Sequence, residues 1–184
     1  MSEKLRILIT GFGPFPGAPF NPTQPLLARK RPQALLMFGL ANRTPFVRIE
    51  TRARNAVTTL WPDADHARIR KGSIAGGTEA MMFGPHTARL LRAALGTGID
   101  ARASRDAGSY LCNYLSWRAI EATCRDTGPR LAAFVHVPLL ARDGAARRDA
   151  SHRVTLEELV DAGEAMLLEM VKLTRRAVRE VGSS

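Results

Sequence analysis

The sequence predicts an α/β protein: a single domain over residues 1–184, built as a three-layer α/β/α sandwich around a largely parallel central sheet. Three observations predict it. Short apolar runs that stop at glycine or proline, Leu5–Thr10, Gln33–Phe38 and Leu131–Val137, have the length and character of buried strands. Other segments, Pro85–Leu95 and the stretch from Leu156 to Val178, carry apolar residues at helical spacing. The two kinds alternate along the chain, as strands and crossover helices do in parallel sheets.

Taken in order, Leu5–Thr10 is closed by Gly11 and reads as the first strand. Gly11-Phe12-Gly13-Pro14-Phe15-Pro16-Gly17 is too rich in glycine and proline for regular structure. It forms a loop at the C-terminal end of a strand, where open α/β sheets hold their ligands. The pattern is not G-x-G-x-x-G, so a dinucleotide fingerprint is absent. On their own, Phe12 and Phe15 read as core plugs. A helix-like piece, Gln24 to Ala28, follows Asn21-Pro22-Thr23, and Gln33–Phe38 stops at Gly39. Phe46-Val47-Arg48-Ile49-Glu50 alternates apolar and charged residues, as an exposed or edge strand does. Glu50, a lone glutamate among arginines, reads by itself as a solvent-facing ion-pair partner.

Asp63 to Gly77 is polar and turn-rich and is expected to be loop. Pro85 to Leu95 is a helix ended by Gly96 and Gly98, and Ile99 to Ser104 a brief strand. Asp106-Ala107-Gly108-Ser109-Tyr110-Leu111-Cys112-Asn113-Tyr114 then passes from a turn-permissive run into a helix that ends at Thr127-Gly128-Pro129. Leu131–Val137 is a buried strand stopped by Pro138, and the polar stretch from Ala141 to Arg153 is expected to be mobile. Thr155-Leu156-Glu157-Glu158 is a capping box. It opens a long amphipathic helix through Leu159, Ala162, Met166, Met170, Leu173 and Val178.

Composition removes several function classes. No apolar run reaches the length of a membrane span, and no secretory leader is recognised at Met1-Ser2-Glu3-Lys4. Two cysteines, Cys112 and Cys124, are too few for a disulfide framework, and with no paired CxxC they make a poor zinc site. A cytoplasmic location with both thiols reduced is expected, with no metal and no cofactor. The net charge of +10 invites a nucleic-acid reading. The arginines are spread along the chain, however, without aromatic interleaving, so a solvated basic surface is expected and no nucleic-acid or membrane partner.

Cys112 is the residue around which chemistry gathers. A thiol beside a helix N-terminus is expected to favour the thiolate, the nucleophilic form. A lone cysteine is more often simply buried. His136 lies near the C-terminal end of its strand, and strand ends in a parallel sheet share an edge. Cys112 and His136 are therefore able to meet as nucleophile and base, with Glu50 as the group that orients the imidazole. His66, His86 and His152 carry no assignment.

Four motifs occur in one order: Ile7-Leu8-Ile9-Thr10-Gly11-Phe12-Gly13-Pro14-Phe15 with Asn21-Pro22; Glu50, Ala53 and Asn55; Ala107-Gly108 with Cys112-Asn113; and Phe134-Val135-His136-Val137-Pro138. Together they resemble the pyroglutamyl peptidase I (pyrrolidone carboxyl peptidase) family of cysteine peptidases, from Arg6 to the final helix. The resemblance implies Cys112 as nucleophile, His136 as general base and Glu50 as the third member. It implies a peptide substrate with N-terminal pyroglutamate, and a homo-oligomer, dimer or tetramer. It also implies that Phe12 and Phe15 wall the lactam ring, with Tyr110 and Leu111 lining the same pocket. A compact neutral lactam suits such an apolar slot.

The chain departs from the family pattern in three places. Leu40 stands where the family has a glutamine, and Thr51 where an arginine follows the glutamate. Both border the site, Leu40 as a candidate substrate-binding residue, and they leave open a catalytically weak or inactive relative that binds blocked N-termini or a protein partner. Between about residues 24 and 31 a strand–helix unit of roughly 25–30 residues has no counterpart. Either this is a deletion, or a stretch of the natural chain is absent from this sequence. The apolar surface a deletion would expose favours the second reading.

Overall fold

The computed structural model describes residues 5–11, 32–58, 72–140 and 154–181. Along them run β1 (Ile7–Gly11), β2 (Ala34–Leu40), β3 (Val47–Glu50), β4 (Arg52–Arg54), β5 (Ala80–Met82), α1 (His86–Leu95), β6 (Ala101–Ser104), α2 (Leu111–Thr123), β7 (Leu131–Val137) and α3 (Leu156–Val181). The expected loop around Phe12 and Phe15, the helix over 24–28, the apparent gap between 24 and 31, the start of the 63–77 loop and the 141–153 stretch lie outside the described residues.

Five strands form the central sheet in the order β1-β2-β7-β3-β6, and β4 and β5 make a separate antiparallel ribbon. Three of the four pairings in the central sheet are parallel; β3 runs antiparallel to β7. Pleating sends alternate residues to opposite faces, and the core divides accordingly. On one face Leu36, Val47, Ile49, Ala133 and Val135 meet Leu90 and Ala94 of α1 and Ala162, Met166 and Met170 of α3. On the other, Leu35, Met37, Ala132 and Phe134 meet Leu115, Trp117, Ala119 and Ile120 of α2, with Ala53 and Phe83 from around the ribbon. Helices thus cover both faces of one sheet, the three-layer α/β/α architecture.

Two strand expectations are corrected. β3 is neither exposed nor an edge: it lies between β7 and β6, with Val47, Ile49 and Glu50 all buried. Its alternation of apolar and charged residues has another cause. The apolar set faces α1 and α3, while Arg48 and Glu50 face the α2 side, where they meet polar partners rather than water. The second strand does not stop at Gly39, since β2 continues to Leu40 with Gly39 opposite His136.

The long helix begins as its capping box requires. The Thr155 hydroxyl accepts the Glu158 N–H at 3.2 Å, and the Glu158 carboxylate accepts the Thr155 N–H at 2.8 Å. Its methionines are core filler between sheet and α1, and Arg89 ties the two helices together through Glu169 at 2.7 Å. His86 opens α1 as a buried residue, its Nε2 2.7 Å from the Ala132 carbonyl. Burial pushes its pKa below the ordinary histidine value, so it sits in the core as a neutral donor. Among the described residues no helix is long and apolar enough to cross a membrane.

Candidate active site

The site forms on the α2 side of the sheet, where β2, β7 and β3 lie side by side. Gly39 pairs with His136 across β2 and β7, and His136 with Arg48 across β7 and β3. Glu50, two residues beyond Arg48, points to the same face. Its Oε1 lies 2.7 Å from Nδ1 of His136, and both side chains are almost wholly enclosed. A carboxylate at that distance accepts a hydrogen bond from Nδ1–H and so leaves Nε2 as the basic nitrogen. The Phe134 ring packs against the imidazole at a centroid distance of 4.9 Å and restricts its rotation.

Cys112 reaches this patch by a route the sequence argument did not foresee. β3 and β6 run opposite to β7, so the end of β6 and the end of β7 do not share an edge. The chain turns back through residues 105–110. There the Asp106 carboxylate accepts the Gly108 N–H at 2.9 Å and binds Arg54 at 2.8 Å, and Gly108 adopts φ +84, a conformation that favours glycine. Helix α2 then lies across the sheet face and sets the thiol in the second core cluster.

Asn113 fixes the first turn of that helix. Fully buried, its amide oxygen accepts the Arg54 N–H at 2.8 Å, and its nitrogen donates to the carbonyls of Arg54 at 2.8 Å and Ala56 at 2.9 Å. The residue next to Cys112 is therefore a strut between α2 and the chain around β4.

Gly39 lies directly beside the thiol. A Cβ built there would lie 3.3 Å from Cys112 Sγ, 2.7 Å from Phe134 Cζ and 3.0 Å from Phe134 Cε1. A glycine inside a strand marks a close approach, and here it is the approach of the thiol to the sheet. Because Phe134 is fully buried and has no room to swing, Gly39→Ala is expected to lower stability by about 1–3 kcal/mol and to reduce turnover by displacing the sulfur. Thermal unfolding and steady-state kinetics on the variant check both; unchanged values would mean that the thiol does not rest on this strand.

The electrostatics correct the expectation of a ready thiolate. Burial, and then the negative charge of Glu50, push the Cys112 thiol up to about 11, outweighing the pull of Arg48 and of the cysteine's own backbone N–H. The cysteine's own N–H, in the first turn of α2, acts in the expected direction but is the smallest of these influences. At rest the sulfur is a thiol, and a base must take its proton.

The remaining sequence candidates fall around this centre. Tyr110 is the N-terminal flanking residue of α2 and Leu111 its first residue, both immediately before Cys112, and no side-chain hydrogen bond caps the helix. Leu40 ends β2 half-exposed, and alternation turns it to the face opposite Gly39. Thr51 donates its hydroxyl to the Ser104 carbonyl at 2.8 Å, joining β3 to β6. Phe12 and Phe15 lie outside the described residues. Sequence reasoning gave no role to Arg48, whose Nη2 lies 3.2 Å from His136 Nδ1 and whose Nε lies 3.5 Å from Glu50 Oε1. Its alternation with Ile49 was the only available signal. Among the described residues no group of three or more His, Cys, Asp or Glu is placed to hold a metal ion.

Known proteins share this arrangement of elements. The sequence profile described as pyroglutamyl peptidase matches residues 24–171. The pyrrolidone-carboxylate peptidase of Pyrococcus furiosus is 25% identical over 170 residues, covering 74% of this chain and 82% of that protein. The enzyme of Vibrio vulnificus is 25% identical over 214 residues, covering 97% and 98%. That alignment is longer than the 184-residue chain, so the relative has residues with no counterpart here. In three dimensions, the pyrrolidone carboxyl peptidase from Thermococcus litoralis superposes with a TM-score of 0.79 at 21% identity, covering 94% of this chain and 96% of that one. The pyroglutamyl peptidase I from Bacillus amyloliquefaciens gives 0.73 at 19%, covering 90% and 95%; at these identities the likeness speaks for the fold. With most of the chain inside the profile, the protein belongs to the pyroglutamyl peptidase family.

Proposed function

We propose that this protein removes N-terminal pyroglutamate from peptides, with Cys112 as nucleophile, His136 as general base and Glu50 as the residue that orients the imidazole. The observation that carries the assignment is the 2.7 Å contact between Glu50 and His136, enclosed on the same patch of sheet as the Cys112 thiol. His136 Nε2 takes the thiol proton as sulfur attacks the lactam residue's exocyclic carbonyl, and it returns that proton to the departing amine. The acyl-enzyme is then hydrolysed by water activated through the same nitrogen. Backbone N–H groups in the first turn of α2, which no side chain caps, are suited to the oxyanion.

Tyr110 and Leu111 belong to the lactam pocket in this reading, together with Phe12 and Phe15, and Leu40 borders it from the exposed end of β2 rather than from the α2 face. The chemistry needs neither metal nor cofactor. Cys112 and Cys124 are both free thiols, which supports a reducing, cytoplasmic setting. Arg54, Arg89, Arg102 and Arg118 are each paired with a carboxylate, which supports a solvated basic surface over a nucleic-acid face. The working form is read as a homo-oligomer.

A pyroglutamyl 7-amido-4-methylcoumarin substrate tests the activity. Saturable release of the fluorophore is expected, with none from the prolyl amide, and loss of activity after treatment with iodoacetamide. A folded protein that gives no turnover would instead favour the non-catalytic relative, a reading that the raised thiol keeps in view.

A further inference from the structure

Glu50 is wholly buried, and its two oxygens are used unequally. Oε1 meets His136 at 2.7 Å and lies 3.5 Å from Arg48 Nε, whereas Oε2, also enclosed, has no hydrogen-bond partner among the described residues. Arg48 Nε is likewise enclosed without a hydrogen bond. A donor-only guanidinium and an acceptor-only carboxylate therefore stand side by side with one unmatched site each. The strand register explains the placement: Arg48 is the residue opposite His136, and pleating turns Arg48 and Glu50 to the same face.

We propose that Arg48 is a positioning residue of this site: it supplies the counter-charge of the buried Glu50 carboxylate and thereby governs how readily Cys112 ionises. An ionised carboxylate in a dry site repels a second anion formed nearby, and the repulsion falls when a cation sits against the first. The guanidinium does not replace the imidazole. With the Nδ1 proton directed at Glu50, Nη2 of Arg48 has no lone pair to address on that nitrogen, so the 3.2 Å approach is a proximity of charge rather than a hydrogen bond.

The other groups around the thiol leave this pair in control. From β7 the facing group is His136, and from β3 it is Arg48 and Glu50. Arg52 of β4 donates to the Arg105 carbonyl, and Arg54 is committed to Asp106 and to the Gly108 carbonyl. On α2 itself Tyr110 and Tyr114 are phenols, and Arg118 is held by Glu121 at 2.6 Å. Among the described residues, the charges that act on Cys112 are Glu50, which opposes ionisation, and Arg48, which favours it.

The proposal deepens the assignment of Cys112 as nucleophile, but its test reads the thiol directly, so a protein without peptidase turnover would still answer it. Cys124 is exposed and would also react, so all variants carry Cys124→Ser. The rate of carbamidomethylation of Cys112 by iodoacetamide is followed by intact mass between pH 7 and 10, with near-ultraviolet circular dichroism as the check on folding. Arg48→Gln and Arg48→Met are expected to slow the reaction roughly three- to tenfold at each pH. Arg48→Lys should restore most of the rate, and Glu50→Gln should raise it above the parent. The two neutral variants differ in stem polarity, so failure of one to fold does not decide the matter. A folded neutral variant that reacts as fast as the parent, or a lysine variant no faster than the neutral ones, overturns the proposal.

Discussion

Cys112→Ala is expected to lower kcat/KM for a pyroglutamyl amide by roughly 10⁶-fold, and His136→Ala to come close to the same loss. The size follows from the state of the sulfur. With the thiol pushed up to about 11, roughly one molecule in ten thousand would carry a thiolate at neutral pH without assistance. Deleting the base leaves only that unassisted fraction and also removes the acid that protonates the departing amine, so the two losses together approach that of deleting the sulfur. Because the two residues act as one unit, the double variant should be no slower than the single ones. Stability is a separate readout. Cys112 contributes one partly buried sulfur to the second core cluster, so its alanine variant should fold and unfold much like the parent. Retention of more than about one per cent of activity in folded Cys112→Ala, far above the residue expected for a lost nucleophile, would sink the assignment. Losses in the double variant that multiply would show that the two side chains act independently.

What could be read from the chain depended on how local the determining contact is. Alternating runs gave the α/β class, and the Thr155–Glu158 capping box gave the start of the last helix, because both signals are complete within a few residues. The burial of Glu50 was not local. Beside arginines it has the signature of a surface residue, and its partner lies 86 positions away in sequence. Its place in the site came from its position at the end of its strand and then from resemblance, since no pattern within that strand announces its burial. The direction of β3 escaped for the same reason. A short buried strand looks alike in either orientation, and its reversal against β7 removes the shared-edge argument for bringing Cys112 to His136. The ribbon of β4 and β5 was missed because each strand has only three residues and its pairing joins segments on either side of a long polar stretch. Gly39 was read as punctuation, yet it sits inside a strand where Phe134 and the thiol leave no room for a Cβ.

Glu50→Gln separates the two tasks that the carboxylate performs. Glutamine keeps the shape, and its amide oxygen is able to accept the hydrogen bond from Nδ1–H of His136, so the imidazole should hold its place. The charge is lost. When His136 takes the thiol proton it becomes cationic, and it would then stand 3.2 Å from the Arg48 guanidinium with no carboxylate on its Nδ1 side. That arrangement is unfavourable only while the imidazolium exists, so it should appear in kcat, by roughly 10²–10⁴-fold, with little change in KM. Adding Arg48→Met to Glu50→Gln removes the repelling cation and should recover part of kcat. The same Glu50→Gln change is expected to hasten alkylation of Cys112, because the anion that opposes its ionisation has gone. Slower turnover together with a more reactive thiol is a combination that general damage to the site does not produce. If alkylation and turnover fall together, Glu50 acts through structure alone, and the charge balance among Glu50, His136 and Arg48 is not what drives proton transfer.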